Sequence, residues 1–306
     1  MSFSTHRYLL MTVDPVHIGT GGTRLGRVDL GITREPGTRL PKIPGTSLSG
    51  AIRQYAAYRY NKRRCAGKDN HCGNDACPIC YTFGFVKSEG SKQKAHSGVV
   101  SIGDARLLLF PVYSMAGPVW VASPSALADF GIEGQNVSAD QARWSDITDQ
   151  PYLNLGWLMV EKEGDLDLGN ALPHVPAPTR ERVALVSDKL FSQVVNSNLE
   201  VRTSVSINPE TGAAEDKALF TYEAIPRAAF LWLDVVVDDY RGAFPVTSKQ
   251  YDQESEQDNA GDNLGQTWSQ PAGVVAAGLE WAEHLGIGGM GTRGFGRMRR
   301  IAEVQR

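Results

Sequence analysis

Apolar and polar residues alternate along much of "HRYLLMTVDPVHIG" (6–19), as they do on a half-buried strand, and the pattern stops at glycine. "PGTSLSGAIRQYAAYRYNKRR" opens with turn chemistry and a Ser or Thr N-cap. Leu48, Ala51, Ile52, Tyr55 and Tyr58 then follow at helical spacing. This spacing predicts a helix beginning at Ser47 that buries one face and exposes Arg53, Arg59 and Lys62. Strand-like stretches recur at 98–110, 119–123 and 227–237, and a late helix, "GVVAAGLEWAEHLG", precedes the glycine-rich "IGGMGTRGFGRMR". Strands and helices mix with long polar insertions and no strict βαβ repeat, which predicts an α+β fold over a doubly wound sheet. No internal repeat and no Gly/Ser linker divides the chain, so residues 1–306 read as one domain.

Composition adds limits. A chain of 306 residues with 42% hydrophobic content can bury a large core. Apolar runs such as "LLLF" (107–110) are too short to span a bilayer, and the N-terminus lacks the apolar core of a signal peptide. The expectation is a soluble cytoplasmic protein with no membrane partner. The net charge of −3 hides an uneven distribution: residues 24–94 hold 14 Lys and Arg against 5 Asp and Glu, whereas 251–263 hold 5 acids and no base. Such a basic region suits a polyanion.

The four cysteines fall within sixteen residues, as Cys65-x6-Cys72-x4-Cys77-x2-Cys80. A CxxC places two thiolates on one side of an ion, and two upstream cysteines on a polar loop complete a tetrahedral zinc site. His71 is an alternative to Cys72 as ligand. A redox CxxC is the rival reading, and it would leave two cysteines idle. With four protein ligands the zinc is expected to be structural, folding a segment over about 60–97.

Two glycine-rich loops lie at opposite ends of the chain, "GTGGTRLG" (19–26) and "GGMGTRGFG" (288–296). "GIGGMG" formally fits G-x-G-x-x-G, but it follows a helix, where a dinucleotide fingerprint follows a strand. A plain flexible turn is one alternative. The other is backbone approach to a phosphate chain, with Arg24, Arg27, Arg293 and Arg297 supplying charge, and two such loops suit RNA better than a nucleotide. Among these basic residues stands Asp29. On the residues alone, an ion pair with Arg27 or Arg34 competes with a chemical role. Glu35, next to Arg34, reads as one half of a solvated ion pair, and His17 as a packed, hydrogen-bonded residue.

"PVHIGTG", "RVDLGITRE", "LPKIPGTSLSGAIR", "IGDARLLLFPVYSMAGPVWVASP", "RTSVSINPETGAAEDKALFTYEAIP" and "GIGGMGTRGFGRM" together resemble the RAMP superfamily of CRISPR proteins, in family order from about residue 15 to 298. The sister III-A and III-D backbone subunits share the "IPGSSLKGxxR" and glycine-rich elements. "VDLGITRE" and "DARLLLFPVYS" tip the choice to the backbone-subunit family of type III-B (Cmr) complexes.

The resemblance implies an RRM-like (ferredoxin-like) palm with the zinc-binding segment and a β-hairpin thumb (196–228) inserted, stacked with copies of itself along a CRISPR guide RNA beside other type III effector subunits. It implies that the helix from Ser47, with Ser49 and Arg53, and the late loop, with Gly288, Gly289, Arg293 and Arg297, hold the guide. It implies that Asp29 is the catalytic aspartate that cleaves target RNA with a divalent metal such as Mg²⁺, as an endoribonuclease. Ser49 stands where the family usually has Lys, and Met290 where a basic residue is frequent; each loses a phosphate charge. Two other readings stay open: a guide-binding scaffold of III-A/III-D type without catalysis, and an unrelated zinc-stabilised RNA-binding protein.

Overall fold

The computed structural model describes residues 3–21, 28–67, 71–89, 92–214, 219–255 and 263–304. In chain order the elements are β1 (Ser4–Thr12), α1 (Gly45–Arg59), α2 (Pro78–Phe83), β2 (Gly84–Glu89), β3 (Lys92–Ser97), β4 (Val100–Ile102), β5 (Arg106–Val112), β6 (Val119–Ala122), α3 (Pro124–Phe130), β7 (Gln141–Arg143), β8 (Tyr152–Leu155) and β9 (Leu158–Gly164). There follow α4 (Ala177–Arg180), β10 (Val183–Val186), α5 (Asp188–Ser197), β11 (Glu200–Ser204), β12 (Phe220–Ala224), β13 (Phe230–Val237), β14 (Thr247–Lys249), β15 (Asn263–Trp268), α6 (Pro271–Leu285) and β16 (Met298–Val304).

Among the described residues, ten strands form one sheet in the order β16-β1-β13-β5-β6-β10-β7-β9-β8, with β4 paired to the end of β13. The expected α+β class holds. β1 lies antiparallel between β13 (Leu9 opposite Trp232) and β16 (Tyr8 opposite Glu303). Both faces of the sheet are covered, which explains why "RLLLF" and "FLWLDVVV" read as continuous apolar runs and not as alternation. On one face Leu10, Phe110, Val121 and Leu231 pack with Ile52 of α1 and Leu279 of α6; on the other Leu9, Leu108, Leu185 and Trp232 pack with Phe130 of α3.

The helix predicted from Ser47 starts at Gly45, and its N-cap residue, Pro44, makes no side-chain cap bond. The acceptor comes from a distant strand end instead: Asp104 Oδ1 takes the Gly45 N–H at 2.7 Å while Oδ2 pairs with Lys42 Nζ at 2.5 Å. A carboxylate at this end also complements the helix dipole. The strand predicted over 98–110 is split into β4 and β5, because the chain turns at Gly103, whose N–H bonds Asp234 O at 2.9 Å.

The predicted exposure of Arg53, Arg59 and Lys62 is wrong. Arg59 ion-pairs Glu280 of α6 at 2.5 Å, Lys62 is 5% exposed with Nζ 3.6 Å above the Tyr251 ring, and Arg53 turns onto the cysteine loop. These cations cover a third core made by Tyr60, Phe85, Tyr251, Leu264, Trp268 and Val274, which joins the cysteine segment to β15 and α6. Helical spacing cannot reveal that a helix is covered on two sides. α1 and α6 cross so closely that a Cβ on Gly278 would lie 2.3 Å from Ile52 O, so only glycine fits there.

Candidate nucleic-acid interface and metal centre

The late glycine-rich loop packs against the segment that leads into the early one. Gly289 N–H donates to His17 O at 2.9 Å, Gly296 N–H to Pro15 O at 2.8 Å, and Val13 N–H to Arg297 O at 2.9 Å. A Cβ on Gly288, at φ +93°, would lie 2.5 Å from His17 O, so this glycine is required by the packing of the late loop on the His17 segment. Gly288 and Gly289 are exposed. The Tyr55 hydroxyl of α1 donates to Gly286 O, fixing the loop to the helix behind it.

A hairpin completes this seam. β11 and β12 pair antiparallel, Glu200 opposite Ala224, and the chain turns over 208–213, where Asn208 Oδ1 accepts the N–H groups of Glu210 and Thr211. At its base Val16 and Ile225 exchange both backbone hydrogen bonds, 2.8 and 2.9 Å. Side chains of β12 alternate. Tyr222 and Ala224 are buried with Phe295, and Leu30, Phe220 and Met290 pack against them. The opposite face carries Thr221 and Glu223.

These two residues hold the loop that bears Asp29. Thr221 donates its backbone N–H (2.7 Å) and its hydroxyl (2.8 Å) to Asp29 Oδ2, and Asp29 N–H returns a bond to Thr221 Oγ1 at 3.1 Å. The Thr221 N–H and then its hydroxyl hold the exposed Asp29 carboxyl below its ordinary range, so it is ionised at neutral pH. The ion pair considered for Asp29 with Arg34 is not formed. Arg34 takes Glu223 through a bidentate fork at 2.6 and 2.8 Å and Asn196 Oδ1 through Nε at 2.8 Å. Nor does Glu35 pair with Arg34: it accepts the Thr38 hydroxyl at 2.7 Å. Glu223, 8% exposed, also accepts the Ile32 N–H at 2.9 Å. Burial opposes its ionisation, yet the Arg34 fork and this N–H leave its carboxyl below the ordinary range. His17 is buried as expected, with Nδ1 2.7 Å from Glu223 O.

Of the cations expected at this seam, Arg293 is exposed, stacked 5.2 Å over Phe220. Arg297 is committed to Asp14, bonding it through Nε and, at 3.0 Å, through Nη2, an internal pair that lowers its availability to a phosphate. Arg24 and Arg27 lie outside the described residues. Ser47 and Ser49 are half-buried on the first turns of α1. Thr221, Glu223, Phe220, Tyr222 and Phe295 were missed from sequence. The alternation in "FTYEA" was the available signal, marking a strand with one apolar and one polar face.

The four cysteines converge at the far side of α1. Their sulfurs lie within 4.8 Å of one another, with Cys72–Cys80 and Cys65–Cys80 at 3.6 Å and Cys65–Cys77 at 3.9 Å. A tetrahedron with about 2.3 Å metal–sulfur bonds has edges of about 3.8 Å, so the donor set fits a zinc ion. Cys77 caps α2 and Pro78 occupies its first turn, which sets the CxxC pair on one helical turn. His71 is not a member: Nε2 bonds Gly67 O at 2.7 Å and Nδ1 accepts the Val86 N–H at 3.2 Å. The crowded thiols compete for protons. Hydrogen bonds led by Cys65 pull the Cys72 thiol down, and contacts led by the same Cys65 push Cys77 and Cys80 up. A divalent cation resolves that conflict by ionising all four.

The sequence pattern of the RAMP superfamily matches residues 9–299. The chain belongs to the RAMP superfamily. Among relatives, it is 28% identical over 251 residues to the CRISPR system Cmr endoribonuclease Cmr4 of Pyrococcus furiosus, covering 74% of this chain and 80% of that one. Among solved structures it resembles a chain of the type III-B Cmr-beta complex bound to cognate target RNA (TM-score 0.64, 15% identity, 97% of each chain). It also resembles oligomeric Cmr4 from P. furiosus (TM-score 0.60, 19% identity, 100% of each chain). The resemblance to type III-B backbone subunits read from the motifs therefore holds, and the structural likenesses extend it to the fold of the whole chain. A protein unrelated to CRISPR proteins is ruled out by the family match. No helix among the described residues is long and apolar enough to cross a membrane.

Proposed function

We propose that this chain is a guide-RNA-binding backbone subunit of a type III-B CRISPR effector, stacking with copies of itself and cleaving guide-complementary target RNA at regular intervals. In this reading β16-β1-β13-β5, with α1 and α6 as crossovers, is the ferredoxin-like palm, 60–97 is a zinc-folded insertion holding one structural Zn²⁺, and 196–228 is the thumb. One observation carries the catalytic assignment: Asp29 presents an ionised, exposed carboxylate at the foot of the hairpin, fixed by Thr221 and unpaired with any cation among the described residues.

A thumb that displaces one target nucleotide leaves the adjoining backbone free to adopt in-line geometry. Asp29 then accepts the proton of the 2′-hydroxyl as that oxygen forms its bond to phosphorus, and the 5′-oxygen leaves with its electron pair. With the leaving 5′-oxygen taking a proton from water, the products are a 2′,3′-cyclic phosphate and a 5′-hydroxyl. A divalent cation, when bound, would neutralise phosphate charge; Asp29 is the residue that would hold it, since one carboxylate plus substrate oxygens suffices for Mg²⁺. The exposed Arg293 and the backbone of Gly288 and Gly289 hold guide phosphates in this scheme.

The test is a reconstituted complex offered complementary and non-complementary RNA. Evenly spaced fragments from the complementary strand alone, ended by chelation without target release, are expected. A bound, uncut target would favour the scaffold reading.

A further inference from the structure

Arg53 sits where the family resemblance places a guide-binding cation, yet its side chain is spent elsewhere. Its Nε donates to Cys65 O at 2.8 Å and Nη1 reaches Phe83 O at 3.5 Å. The first carbonyl belongs to the upstream metal-ligand candidate, and the second to the C-terminal residue of α2, the helix that carries Cys77 and Cys80 on its first turn. One guanidinium thus bridges the two halves of the cysteine loop. Its third nitrogen, Nη2, is buried without a hydrogen-bond partner, and the guanidinium lies against the backbone of the segment that carries all four cysteines.

A tetrathiolate zinc centre carries a net charge of −2, two negative charges beyond what the metal neutralises. In a largely buried place that excess needs a nearby cation, and a buried guanidinium nitrogen with no acceptor needs an anion. Each supplies what the other lacks. Arg53 also leaves from the same helix that packs Ile52 and Tyr55 into the main core, so it joins the metal loop to the palm.

We propose that Arg53 is a positioning residue of the zinc centre, which holds both arms of the loop and offsets the charge of the thiolates, and that it makes no phosphate contact with guide RNA. This rests on the zinc reading of the cysteine cluster.

The experiment uses the full zinc-loaded chain, with Arg53→Met and Arg53→Lys, in two assays. Zinc retained after timed exposure to excess EDTA is measured by elemental analysis, and guide-RNA affinity is measured at several salt concentrations. Loss of such an outer contact weakens metal sites by about 10- to 100-fold, so Arg53→Met should release zinc at least about tenfold faster. Arg53→Lys, which keeps the charge and loses the fork, should fall between. With zinc kept saturating, guide affinity and its salt slope should match wild type. Wild-type zinc retention in Arg53→Met, with a salt slope lower by about one phosphate contact, overturns the proposal. If Arg53→Met does not fold, Arg53→Lys carries the test: zinc held as in wild type overturns the proposal. Wild-type protein purified without zinc contradicts the zinc reading itself, a result distinct from equal retention in the variants.

Discussion

The cysteine cluster and the Asp29 seam are both polar sites, each built on a smaller apolar cluster of its own, and they differ in what they leave unspent. At the cluster every donor faces inward: four sulfurs meet one another, His71 is tied to backbone, and Arg53 bridges the loop. At the seam the inner layer is equally committed, with Glu223, Arg34 and His17 bonded among themselves, but the outer layer ends in an exposed carboxylate and the exposed Arg293. A closed set of ligands builds structure. An ionised group held from one side and open on the other can act on a substrate.

The contrast predicts different kinds of damage. Cys77→Ser should have the largest effect. Metal binding in small zinc modules is worth on the order of 10 kcal/mol, comparable with a whole domain's margin of about 5–15 kcal/mol, so the variant should lose zinc and cooperative melting together, read by calorimetry. Glu223→Gln strikes the inner layer of the seam. It should cost about 2–3 kcal/mol, less than the ~3–5 kcal/mol of a fully buried broken pair because glutamine keeps some of the hydrogen bonds. The Glu223 carboxyl lies below its ordinary 4.5, so its contribution is present above that pH and is lost as pH falls through the folded value. The wild-type melting temperature should therefore drop on acidification more steeply than that of Glu223→Gln. Thr221→Val spares the fold and loosens only the aim of Asp29: turnover of bound target should fall about tenfold, with Thr221→Ser restoring most of it and target affinity unchanged. Arg293→Ala should be mildest, weakening all guides alike and lowering the salt slope by about one.

The two regions also differed in how far their residues disclosed them. The cysteine cluster was legible because its four members sit within sixteen positions and the chemistry of thiolates admits few arrangements. Arg53's place beside it was not, since its partners are the backbone carbonyls of Cys65 and Phe83, which carry no sequence signal. At the seam, the glycine-rich loops and Asp29 stood out from the residues themselves and drew their expected roles from the family resemblance, but the clasp came from Thr221, 192 positions away. Asp104 replacing a local N-cap on α1 is the same lesson in the fold. Long-range partners are set by how strands stack, and nothing in the local pattern of either partner announces the other.

If Asp29 does chemistry and does not merely organise the loop, removing its charge alone must stop cleavage. Asp29→Asn keeps the shape and most hydrogen bonds to Thr221 while removing basicity and charge. The measurement is the single-turnover cleavage rate of guide-complementary RNA by a complex reconstituted with this variant, with target binding and assembly measured on the same sample. The account predicts unchanged assembly and binding with cleavage abolished. Cleavage at the wild-type rate would contradict it.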